Sequence, residues 1–155
     1  DALNIYNPEV HVATARYLRG QALLLEEPER TLKLQRALVR WDRAQAYRPH
    51  WPYYQLAALD IEVMLNAPAV QLRNRIDRII TMAPNERGLD KALLELMLFS
   101  WTKMTPEQQR WALARIETTQ HQNRRFLFDV AANLGLTPIL CSRLPWTIAR
   151  PYCRR

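Results

Sequence analysis

The side chains able to do chemistry in this chain are few and scattered. Its three histidines, His11, His50 and His121, lie far apart and share no motif. His11 sits in a stretch with helical periodicity, where packing at a helix–helix contact weighs against a ligand or general-base role. Paired carboxylates can exchange protons, but Glu26-Glu27 stands beside Pro28, where a helix-start charge effect is the more economical account. There is no G-x-S-x-G, no glycine-rich phosphate loop and no H-E-x-x-H. Three glycines cannot build a dinucleotide fingerprint. Cys141 and Cys153, with no histidine nearby, fall short of four zinc ligands. The chain is therefore expected not to be an enzyme and to carry no cofactor and no metal.

The two cysteines offer a different chemistry. They are 12 residues apart with Pro145 and Pro151 between them. In an oxidising compartment they would close a disulfide that pins the C-terminal segment, a loop contributing about 3 kcal/mol in the chain-entropy picture. Two unrelated thiols are the other reading.

Binding is the remaining class. The segment Arg48-Pro49-His50-Trp51-Pro52-Tyr53-Tyr54 holds aromatic side chains among prolines. Trp51 and Tyr53 could anchor a partner, since Trp and Tyr are favoured at interfaces; alternatively Trp51 and Tyr54 seal a joint between helical hairpins. The formal charge is +7, carried mostly by arginine. Arginine suits bidentate contacts with anions, although a solvated basic surface is the plainer interpretation. His121-Gln122-Asn123-Arg124-Arg125 and Arg154-Arg155 add local positive charge. Acid is interleaved with the arginines and no recognition helix stands out, so nucleic acid is not expected as a partner.

The elements that must position these residues are helical. Ten prolines and three glycines suit helices separated by proline-bearing turns better than strands. No window approaches a membrane span. Asn7-Pro8 caps a first helix reaching Leu25. A second follows Pro28 to Ala46, with Leu34, Leu38, Trp41 and Gln45 at helical spacing. Further helices run from Pro52 to Leu65, from Pro68 to Met82, and from Pro84-Asn85 to Trp101. A sixth starts at the box Thr105-Pro106-Glu107-Gln108 and ends near Thr119. A seventh covers Asn123 to Leu134 and stops at Gly135. Residues 136–155 read as a proline-bearing tail, disulfide-closed and packed on the last helices, beyond a helical-repeat domain of residues 1–135.

A repeat runs through these helices. Leu3…Pro8, Ala44…Pro49 and Ile79…Pro84 share a five-residue spacing, and Pro49 to Pro84 is 35 residues, close to a tetratricopeptide unit. Ala37, Trp41, Ala44 and Pro49 resemble that family's second-helix pattern, and Leu72, Ile76, Ile79 and Pro84 keep its spacing. Tyr54, Ala57, Ala58 and Ile61 repeat the spacing of His11, Thr14, Ala15 and Leu18, as do Leu89, Ala92, Leu93 and Leu96. The expected fold is all-α, a tetratricopeptide-like right-handed stack of antiparallel hairpins. Leu3 and Pro8 read as the end of a second helix, so the register predicts residues upstream of Asp1.

Several segments together resemble the VpsP-like proteins, tetratricopeptide-like proteins tied to bacterial exopolysaccharide biosynthesis. They are Asn7-Pro8-Glu9-Val10-His11, Arg48 to Tyr53, the helix of Trp111, Leu140-Cys141 and Tyr152-Cys153. The resemblance implies an N-terminal inner-membrane anchor, absent here, and a helical part in the periplasm. It implies a scaffold or adaptor that binds a protein of an envelope assembly machine or an anionic polysaccharide. The general alternative is a tetratricopeptide-like adaptor of another envelope machine or of the cytosol. The repeat register places Arg16 and Arg19, Gln55 and Glu62, and Arg87 and Asp90 on a concave partner-binding face.

Overall fold

A computed structural model of the chain describes residues 7–153. The Leu3 end of the first proline spacing and the pair Arg154-Arg155 lie outside the described residues. Among those residues all regular structure is helical. The helices are α1 (Pro8–Ala22), α2 (Glu29–Tyr47), α3 (Pro52–Met64), α4 (Ala69–Met82), α5 (Asp90–Phe99), α6 (Pro106–Thr118), α7 (His121–Asn133), α8 (Thr137–Arg143) and α9 (Trp146–Ala149), with 3-10 turns at Arg87–Leu89 and Trp101–Lys103. The chain forms two compact units, one ending at Pro84 and one beginning at Asn85.

Local chemistry sets the helix ends. Asn7 Oδ1 accepts from the Glu9 N–H at 3.0 Å, with Pro8 in the first turn. At α6 the Thr105 hydroxyl accepts from the Gln108 N–H at 3.1 Å, and the Gln108 side chain accepts from the Thr105 N–H at 3.2 Å, a reciprocal capping box. Gly135 takes φ +71° beyond α7. The Leu136 N–H then reaches the Ala131 carbonyl at 2.8 Å and the Gly135 N–H reaches that of Ala132 at 3.3 Å, a Schellman closure that glycine makes without Cβ strain.

In the first unit α1 and α2 form a hairpin. Lys33 bonds Gln21 and Arg40 bonds His11, so rising numbers on α2 meet falling numbers on α1. Val12, Ala15, Ala22, Leu34, Ala37, Trp41, Ala44, Tyr54, Ala58 and Ile61 make one buried cluster. Ala15, Ala37, Ala44 and Ala58 are fully buried, and small residues at these positions let helix axes approach closely. Arg19 pairs with Asp60, and Tyr54 donates to Glu9 at 3.5 Å. The near-constant offset of these contacts means that α1 and α3 run parallel. Leu72, Ile76 and Ile79 bury the face of α4.

In the second unit α5 is central. Leu93, Leu94, Leu96, Met97 and Leu98 are all buried, the pattern of a helix enclosed on most sides. It packs against α6 and α7. Arg124, from α7, donates to the carbonyls of Ile116, Glu117 and Thr119, satisfying orphan acceptors at the end of α6.

The C-terminal segment corrects an expectation. Residues 137–149 contain α8 and α9 where a tail was expected, so nine helices stand among the described residues in place of about seven. The Cys141–Cys153 disulfide ties α8 to the end of the described chain, with the Cα atoms 5.9 Å apart. Tyr152 stacks on Phe128 of α7 at 4.3 Å and bonds His121 Nδ1 at 3.2 Å.

Candidate functional site

The exposed charge on α2 is ordered. Lys33, Arg36, Arg40, Arg43 and Tyr47 follow one another at steps of three, four, three and four. That spacing places them in one stripe along a helix. The stripe flanks α1. Lys33 Nζ donates to Gln21 Oε1 at 3.0 Å, Arg40 Nη1 meets His11 Nδ1 at 3.3 Å, and the Tyr47 ring stacks on His11 with centroids 6.1 Å apart. A guanidinium can only donate, so the imidazole nitrogen is the acceptor in this contact. His11 is buried and packs at the helix–helix contact.

Thr14, Leu18, Arg36, Val39, Arg40 and Arg43 line a groove of about 370 Å³ between the two helices. The Thr14 hydroxyl is engaged with the Val10 carbonyl at 2.7 Å, leaving Leu18 and Val39 as an apolar floor. Val39 is 51% exposed. Among the described residues no carboxylate pairs with Lys33, Arg36, Arg40 or Arg43. An apolar floor under cations without counter-ions is a surface suited to an anionic ligand.

The residues expected on a concave face divide. Arg16 is exposed on α1, and Arg19 is half-buried beside Asp60. Gln55, Glu62 and Asp90 are interior, at 7%, 1% and 2% exposure, and this placement corrects the expectation that they line an open surface. Gln55 and Glu62 serve Arg75 of α4. Arg75 Nε donates to Glu62 Oε1 at 3.0 Å, Nη1 donates to Gln55 Oε1 at 2.8 Å and to Gln45 Oε1 at 3.2 Å, and Nη2 reaches Asp42 Oδ1 at 3.3 Å. Burial alone would lower the Arg75 pKa. The hydrogen bonds and charge of Glu62, with Asp42 behind them, outweigh it and hold the guanidinium above its ordinary value.

Asp90 has the matching role in the second unit. Arg115 Nε donates to its Oδ1 at 2.6 Å and the Thr119 hydroxyl to its Oδ2 at 3.0 Å. Arg87 is exposed, 3.5 Å from Asp90 and donating to the Thr118 hydroxyl at 3.0 Å. These side chains bind α5 to α6. A polar cleft bordered by Arg87, Lys91, Thr118 and Asn123 lies above them.

The aromatic segment divides between the interior and the surface. Tyr54 is buried and packs on Trp41 at 5.7 Å, sealing α2 to α3. Trp51 stays 46% exposed with Tyr53 beside it at 5.3 Å. Near it His50, Asp77, Arg78, Thr81 and Met82 surround an open depression.

Sequence reasoning named Arg16 and Arg19 but passed over the α2 stripe. Its signal was the heptad-like spacing of cations from Lys33 to Arg43, masked by a chain rich in arginine. Among the described residues no group of three His, Cys, Asp or Glu side chains could hold a metal ion. No helix there is long and apolar enough to cross a membrane. No protein-family model, curated protein or solved structure matches the chain.

Proposed function

We propose that the chain is a non-catalytic scaffold of tetratricopeptide-like hairpins, working in the periplasm in envelope polysaccharide assembly. The observation that carries the binding reading is the α1–α2 groove, whose arginines have no carboxylate partners among the described residues. The stack reading is supported by the parallel run of α1 and α3, each followed by its partner helix, and by buried alanines at the hairpin contacts. The periplasmic setting is supported by the Cys141–Cys153 bridge, since such bonds persist in oxidising compartments. The link to exopolysaccharide rests on the VpsP-like resemblance of the Trp-Pro-Tyr and cysteine segments. Anchorage to the inner membrane through an upstream segment belongs to the same proposal.

The test uses the native host. The protein is isolated from fractionated cells, alkylated before and after reduction, and weighed intact. The proposal expects recovery with the envelope, no alkylation until reduction, and a loss of secreted polysaccharide when the gene is deleted. Free thiols on cytosolic protein, with unchanged polysaccharide, would overturn it in favour of a general cytosolic adaptor.

A further inference from the structure

The groove between α1 and α2 is more selective than a basic surface needs to be. From Lys33 to Arg43 the cations climb one face of α2 over about 15 Å at the helical rise. They flank an apolar strip of Leu18 and Val39 and do not surround a polar pocket. Two cations are already oriented by partners on α1, Lys33 by Gln21 and Arg40 by His11. Arg36 and Arg43 are exposed, seven residues apart, with Val39 between them. From this pattern we infer that the groove receives an acidic amphipathic helix of a partner protein. Carboxylates spaced four and three residues apart would face Arg36, Arg40 and Arg43, and an aliphatic side chain would rest on Leu18 and Val39.

The apolar strip decides against a polysaccharide here. An anionic glycan would match the charges, but its hydroxyl-rimmed rings would take less of Val39 and Leu18 out of water than an aliphatic side chain does. A helix has one face that is apolar and acidic together, at the rise of α2 itself. The inference rests on the binding-scaffold reading and names the partner chemistry of the same groove.

The experiment is fluorescence anisotropy with the whole chain. The probe is a labelled synthetic helical peptide with glutamates four and three residues apart around one leucine; the comparison ligand is an oligogalacturonate. Expected are saturable peptide binding that weakens with salt, a roughly tenfold loss in the doubly substituted Arg36→Glu, Arg43→Glu protein, and a clear loss in the uncharged Val39→Asn. Circular dichroism confirms that each variant is folded, and the milder Arg36→Gln, Arg43→Gln pair replaces any that is not. Absent peptide binding, or binding indifferent to both kinds of variant, overturns the inference. So does oligogalacturonate binding that needs the arginines but ignores Val39. A complementation arm separates this from the broader reading. If the doubly reversed variant restores polysaccharide output to a deletion strain as well as the native protein does, the scaffold proposal stands and the groove assignment falls.

Discussion

Arg75 gathers acceptors from two other helices, α2 through Asp42 and Gln45 and α3 through Gln55 and Glu62. The ion pair with Glu62 is nearly out of water, at 8% and 1% side-chain exposure. Removing one member strands the other, which typically costs about 3–5 kcal/mol. Arg75→Met should therefore lower unfolding free energy by that amount in urea titrations. The double variant Arg75→Met, Glu62→Leu should recover part of it, since Gln45 and Gln55 still lose their donor, and a double variant as unstable as the single one would deny the pair its role. This network also shows where sequence reading stopped. The repeat register puts Glu62 and Gln55 on an open face, whereas the structure turns them inward to Arg75. Their partner lies 13 and 20 residues away on another helix, a separation at which local periodicity carries no information. Asp90 was misplaced for the same reason, its partner Arg115 lying 25 residues on.

At the level of the helix, α6 shows how strongly a start signal can be written. Thr105, Pro106 and Gln108 were legible as a cap, and the reciprocal hydrogen bonds are present. Thr105→Ala should cost about 1 kcal/mol, read as a lower thermal midpoint. Glu107, in the first turn of α6, makes one pH-dependent contribution. Its backbone N–H hydrogen bond, then the charge of Arg110, hold its carboxyl below the ordinary glutamate value. A lowered carboxyl stabilises the fold above the unfolded pKa, and that contribution disappears as pH falls through the folded value. Carboxyl NMR should find Glu107 titrating below the other exposed glutamates, and Arg110→Ala should move it back up; an ordinary midpoint in both proteins would remove this account. Although α5 starts at Asp90 and not next to Asn85, behind the 3-10 turn Arg87–Leu89, prolines and caps made the other six of the first seven helices readable to within a few residues. The two short ones, α8 and α9, were not, because seven and four residues are too few for a period to emerge. Their formation leans on the disulfide and on Tyr152 against Phe128.

Taken whole, the chain is two compact units, each with its own core. Within the second, the Cys141–Cys153 bridge closes a loop of 12 residues, and its loss should cost about 2–3 kcal/mol. Hydrogen exchange on the Cys141→Ser, Cys153→Ser protein should show faster exchange through residues 137–153, and unchanged protection there would mean that packing alone holds the segment. The bridge was legible from spacing and prolines; the folding of the enclosed residues was not. The Arg75 cluster carries a consequence for how such a chain can diverge. One guanidinium serving four acceptors binds their histories together. A descendant that replaces Arg75 by an aliphatic residue must also give up Glu62, because a carboxylate at 1% exposure has no water to turn to. Asp42, 54% exposed, is free to drift. In sequences descended from this one, positions 62 and 75 should change hands together while position 42 wanders.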